Sequence, residues 1–99
     1  MGPIIINPGA QIGHNCRIHS GATIGATNGS NKAASIGNNV FIASGATIIG
    51  EVKVGNNAAI GANALVIKDV PESVTVGGVP AKIISYNDSS SNMVKLRNY

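Results

Sequence analysis

Along this chain the apolar positions recur every sixth residue. From Ile6 the series runs Ile6, Ile12, Ile18, Ile24, Ser30, Ile36, Ile42, Ile48, Val54, Ile60 and Val66, β-branched and aliphatic in ten of eleven places. A second series, four residues further on, runs Ala10, Cys16, Ala22, Asn28, Ala34, Val40, Ala46, Val52, Ala58, Ala64 and Val70, small or aliphatic in ten of eleven. Turn formers lie between them. Gly13, Gly25, Gly37, Gly55 and Gly61 stand one step after the aliphatic residue, and Gly9, Asn15, Gly21, Asn39, Gly45, Asn57 and Asn63 stand three steps after it. A period of six suits neither a helix nor the two-residue alternation of a long strand. It suits very short strands, each sending one branched and one small side chain to a common interior, with Gly and Asn tolerating positive φ at the corners. The alternative is a generic all-β domain with accidental spacing.

Both series fail at one place. Ser30 replaces the aliphatic residue and Asn28 the small one, inside Ala26-Thr27-Asn28-Gly29-Ser30-Asn31-Lys32-Ala33, which has no strand pattern. This predicts a loop extruded near residues 25–35, between Ile24 and Ile36. Insertions in solenoids project from one face and often build a binding site; a tolerated irregularity is the alternative. Val70-Pro71 ends the repeat, and Val74 to Ile84 can supply a last strand or two. Residues 1–84 are thus expected to form one β domain, and 85–99 a polar, Ser- and Asn-rich flexible tail.

Composition narrows the picture. With 99 residues, one domain is the limit. Aromatic residues are 3% of the chain, so its core must be aliphatic. The single Cys16 cannot form an internal disulfide, which fits a cytoplasmic setting. No apolar run approaches the ~20 residues of a membrane helix, and Met1 to Asn7 do not read as a signal peptide. The net charge of +3 is spread over scattered Lys and Arg, arguing against nucleic acid and leaving room for a small phosphorylated ligand.

The six-residue pattern resembles the hexapeptide-repeat proteins. That resemblance implies a left-handed parallel β-helix, a triangular prism in which three hexads make one coil and residues 18 apart stack. Ile6 would then lie under Ile24, Ile42 and Ile60, and Ile18 under Ile36 and Val54. Between Ile18 and Lys82 the likeness sharpens. Ala22-Thr23-Ile24-Gly25-Ala26, the loop, Ile36-Gly37-Asn38-Asn39-Val40-Phe41-Ile42, Gly45-Ala46-Thr47-Ile48-Ile49-Gly50 and Gly77-Gly78-Val79-Pro80-Ala81-Lys82 follow the order seen in serine O-acetyltransferases. Gly2-Pro3-Ile4-Ile5-Ile6-Asn7 and Asn31-Lys32-Ala33 look like the short relatives found with polysaccharide genes.

The resemblance implies an acetyl-CoA-dependent O-acetyltransferase, a homotrimer that takes acetyl-CoA and a small hydroxyl acceptor. In that family a histidine acts as general base on the acceptor hydroxyl. Its position falls immediately ahead of Met1, and a second family histidine falls on Ala33. The chain therefore reads as a C-terminal portion with no catalytic residue of its own, inactive or weak as it stands; His19 is the fallback base. Coenzyme A binding carries over to the small residues Ala26, Ser44 and Ala62 and to Lys82 as a phosphate contact, with Lys68 a weaker candidate. Lys32 stands where the family holds the acceptor carboxylate with an arginine, and can act there as a point charge. Two other readings remain. His14 and His19 match a histidine pair of gamma-class carbonic anhydrases, but a third zinc ligand is missing and no metal is expected. A non-catalytic trimeric scaffold is the other. Cys16, at a small inward position, reads as packing.

Overall fold

A computed structural model describes residues 2–27 and 32–86. Its regular structure is entirely strand: β1 (Ile5–Ile6), β2 (Gln11–Ile12), β3 (Arg17–Ile18), β4 (Thr23–Gly25), β5 (Ser35–Ile36), β6 (Phe41–Ile42), β7 (Thr47–Ile49), β8 (Lys53–Val54), β9 (Ala59–Ile60), β10 (Leu65–Val66), β11 (Val74–Gly77) and β12 (Lys82–Tyr86). The strands stack into three sheets: β1-β4-β7-β10, β2-β5-β8, and β3-β6-β9-β11-β12. The chain visits these first, second and third faces in turn, so three strands make one coil of a prism. All pairings between strands are parallel except β11 with β12, which fold back antiparallel at the upper end. The strand or two expected after Pro71 are β11 and β12.

The aliphatic series fills the interior. Ile24, Ile42, Ile48, Ile60, Val66 and Val76 have no exposed surface, and Ala22, Ala34, Val40 and Ala46 from the small series close the angles between them. Burying one such branched side chain contributes roughly 1.5–3 kcal/mol. No polar or charged residue is buried among those described. The same series is open at the lower rim, where Ile6 and Ile12 are 40% and 37% exposed.

The stacking corrects one expectation. Ile6 pairs with Ile24, Ile36 with Val54, Ile42 with Ile60 and Ile48 with Val66, each 18 apart as expected. Across the loop, however, Ile12 pairs with Ile36, Ile18 with Ile42 and Ile24 with Ile48, each 24 apart. Ile24 does not lie under Ile42, nor Ile18 under Ile36. The reason lies in the corner lengths: nine residues, 26–34, join β4 to β5, whereas three, 50–52, join β7 to β8. The difference, 9 − 3 = 6, is one hexad taken out of the coil. A whole hexad leaves every later side chain on its proper side of the wall, so the interior survives the interruption. Of the tail expected over 85–99, Ser85 and Tyr86 instead end β12, paired with Thr75 and Val74; its remainder, from 87, and the middle of the expected loop, residues 28–31, lie outside the described residues.

The corners use the two sets of turn formers differently. Three steps after the aliphatic residue the backbone turns left-handed: Asn15, Asn39, Asn57 and Asn63 have φ between 58° and 63°, and Gly21 and Gly45 have 81° and 73°. Ser73, which no pattern singles out, does the same at 56°. Gly37, one step after, serves close approach instead. A Cβ there would stand 2.9 Å from the Asn56 nitrogen of the next coil. Side-chain amides use that proximity. Asn38 Oδ1 accepts from the His14 amide at 2.8 Å, and Asn56 Oδ1 accepts from the Asn38 amide at 2.7 Å. These bonds form a ladder up the corner between the second and third faces.

Two outcomes follow. Deleting residues 28–33 leaves a three-residue corner, Ala26-Thr27-Ala34, of the same length as residues 50–52. The shortened chain is expected to fold with its melting temperature within a few degrees of the parent, whereas deleting three residues throws every earlier inward side chain out of phase and is expected to abolish cooperative melting. At Asn57, replacement by Gly is expected to change stability by under about 0.5 kcal/mol, while Val costs at least ~1–2 kcal/mol because its branched side chain opposes positive φ; urea titration measures both.

Candidate functional site

Short strands leave the corners as the broadest irregular surface of the prism, and the expected site residues are all on or beside corners. Ser20, Ser44 and Ala62 stack one above another where the third face turns into the first. The Gly45 amide donates to the Ser20 carbonyl at 3.3 Å, and the Asn63 amide to the Ser44 carbonyl at 3.0 Å. Above them the Leu65 amide donates to the Gly78 carbonyl at 3.0 Å. Lys82 then opens β12 opposite Gly77. Ser44, Ala62 and Lys82 therefore share one edge and are exposed. The edge consists of small side chains and backbone, with a cation near its upper end.

Ala26 does not join them. It follows β4 on the opposite edge of the first face, where that face turns into the second and the loop departs. The Gly50 amide donates to the Gly25 carbonyl at 3.0 Å and holds the base of the loop. Lys32, on the returning limb, lies 3.7 Å from Glu51 Oε2, with both side chains largely exposed. Lys68 occupies the same edge higher up. The expected coenzyme residues are thus split between two edges that flank the first face.

The outer surface of the first face mixes aliphatic and hydroxyl side chains. Ile5, Thr23, Thr47 and Leu65 pair outward in register along it, and Ile67 is 54% exposed beside them. The second face carries Gln11, Ser35 and Lys53 in the same way. With Lys32 and Glu51 these line a recess of about 260 Å³ at the base of the loop. Glu51 and Lys53 were not legible as site residues. They occupy ordinary outward positions, and the 18-residue register of β5 on β8 sets them beside the returning limb that carries Lys32.

The histidines separate. His19 begins the corner that carries Ser44 one coil higher; its amide donates to the Ile42 carbonyl at 2.9 Å. Its ring meets Phe41 edge-on, centroids 4.9 Å apart at 76°. His14 is on the corner between the second and third faces, where only its backbone enters the asparagine ladder. No group of three or more His, Cys, Asp or Glu among the described residues could hold a metal ion. Cys16 packs partly against the core and its thiol donates to the Gly37 carbonyl at 3.1 Å. Ala33 is buried. No helix among the described residues is long and apolar enough to cross a membrane.

Residues 33–68 match the family of bacterial transferase hexapeptides with six repeats. No curated protein matches the chain by sequence. Among solved structures it is similar to serine acetyltransferase from Brucella abortus strain S19, with a TM-score of 0.80 and 38% identity over 83% of this chain and 34% of that one. It is similar to Neisseria gonorrhoeae serine acetyltransferase in complex with serine, with a TM-score of 0.74 and 35% identity over 83% of this chain and 37% of that one. The Brucella abortus enzyme in complex with coenzyme A matches with a TM-score of 0.73 and 32% identity over 84% of this chain and 42% of that one. The chain spans well under half the length of these enzymes. With its six-residue repeat, its three stacked faces and the hexad looped out between β4 and β5, the chain belongs to the hexapeptide-repeat transferases of the serine acetyltransferase kind, as a left-handed parallel β-helix.

Proposed function

We infer that this chain is the coenzyme A-binding part of an acetyl-CoA-dependent O-acetyltransferase that works as a homotrimer on a small hydroxyl acceptor. The observation that carries the reading is the edge formed by Ser44 and Ala62 with Lys82 near its upper end, on a β-helix similar to an enzyme solved with coenzyme A. A pantetheine arm is slender and rich in amides. It needs close approach to backbone, which small side chains allow, while a lysine at the end of the path suits a phosphate.

An edge of a prism is convex and cannot enclose a ligand alone. A second wall is required, and a neighbouring copy supplies it if its Ala26 edge lies against the Ser44 edge of the first. That arrangement reunites the two halves of the expected site and covers apolar surface on the first face. Acyl transfer also needs a general base within hydrogen-bond reach of the acceptor hydroxyl. We assign none within this chain; His19, at the foot of the Ser44 edge, is the fallback.

Ala26→Trp and Ala62→Trp leave the interior untouched and place an indole in the pantetheine path from either side. Each is expected to abolish coenzyme A binding in calorimetry while the protein sediments as a trimer. Unchanged affinity in both variants, or a stable monomer at micromolar concentration that still binds, contradicts the reading.

A further inference from the structure

The two lowest strands of the third face, β3 and β6, border a recess of about 630 Å³ at the corner with the second face. Each coil lines it with the same three positions: Asn15, Cys16 and Arg17 from the lower, Asn39, Val40 and Phe41 from the upper. Arg17 and Phe41 pair in register, so a guanidinium and a ring stand side by side on the outer surface. The His19 ring meets Phe41 edge-on, centroids 4.9 Å apart, and steadies it. Asn15 and Asn39 turn left-handed with φ of 59° and 58°, so one backbone path repeats in both coils. Among the described residues the Arg17 guanidinium and the Asn15 and Asn39 side-chain amides have no hydrogen-bond or ion-pair partner. Residues 1–50 contain neither Asp nor Glu. Glu72, the carboxylate on this corner, lies against Gly55, which lies against Gly37, and so stands two coils above the recess. An arginine in such surroundings has its charge-assisted bonds still to make.

We propose that this recess is a second ligand site, for a nucleoside monophosphate: Arg17 takes the phosphate, the base lies against Phe41, and Asn15 and Asn39 bond its edge. The planar guanidinium fits phosphate oxygens two at a time. A bare phosphate would leave most of the space empty, since about 630 Å³ lies within the ~300–1,000 Å³ of sites for whole organic ligands. An aromatic ring one strand away from the cation offers a stacking surface for a base. A carboxamide carries a donor and an acceptor together, the pattern that a base edge presents. The site is independent of the proposed coenzyme path. It stands on the corner between the second and third faces, whereas Ser44 and Ala62 lie where the third face turns into the first. The neighbour that completes the coenzyme path covers the first face and leaves this corner open to solvent.

The test is a titration of the full chain followed by NMR, with adenosine monophosphate, with adenosine, which lacks the phosphate, and with ribose phosphate, which lacks the base. Adenosine monophosphate is expected to move the amides of Asn15, Arg17, Asn39 and Phe41 most. Arg17→Met is expected to weaken adenosine monophosphate and ribose phosphate by roughly tenfold or more, the loss of a charge-assisted hydrogen bond, and to leave adenosine within about twofold. Phe41→Leu is expected to weaken adenosine monophosphate and adenosine and to leave ribose phosphate within about twofold, because only the base meets the ring. Arg17 is exposed and its strand is held through the backbone, its amide donating to the Val40 carbonyl at 2.9 Å. Arg17→Met therefore keeps the fold and decides the matter should Phe41→Leu disturb the wall. Affinity for adenosine monophosphate unmoved by Arg17→Met overturns the site. So do changes confined to Gly45, Asn63 and Lys82, and so does a parent spectrum that millimolar adenosine monophosphate leaves unmoved.

Discussion

The structure depends on the bond between one coil and the next. Each strand is two to five residues long and could not persist alone. What holds it is a parallel ladder to the coil above and below, with the same aliphatic residue repeated beneath itself. Ile24 lies between Ile6 and Ile48, and Ile42 between Ile18 and Ile60. A residue's burial is therefore set by its neighbours along the prism axis rather than by a central core. Ile24, with a coil on either side, is accordingly fully buried.

Register in such a stack is quantised. Moving a strand by one residue turns its interior side chain outward, so an insertion is tolerated only in units that keep the phase. The loop obeys that constraint by removing one hexad. In doing so it carries Lys32 back to the wall beside Glu51 and leaves Ala26 at the edge opposite Ser44. The loop is at once an interruption of the fold and the element that assembles the polar recess.

Much of this was legible in the sequence. The two six-spaced series named every buried hydrophobic residue from Ala22 to Val70 except Ala33, and the Gly and Asn corners named most of the left-handed turns, because each inward position meets the same local demand in every coil; Val74, Val76, Ala81 and Ile83, beyond the repeat, belong to neither series. The 24-residue stacking across the loop was not legible, since the count of residues leaving the coil depends on where the chain re-enters the wall. Glu51 was missed for another reason: as an ordinary outward residue of a repeat it carries no mark of its own, although its place beside Lys32 follows from the 18-residue register of β5 on β8. Asn38 and Asn56 were missed because a side-chain ladder between coils has the same composition as an ordinary polar turn. The expected coenzyme residues were placed by family likeness, and their division between two edges could be seen only once Ala26 and Ser44 were assigned to different corners.

The proposed coenzyme path runs along the corner that carries Ser44 and Ala62. The most direct measurement is an amide chemical-shift map of the isotopically labelled chain titrated with coenzyme A. The largest changes are expected on Gly45, Asn63 and Lys82 together with Ala26 and Thr27, with the asparagine ladder at Asn38 and Asn56 unmoved. Shifts centred on that ladder, with the Ser44 and Ala26 edges unmoved, would contradict it.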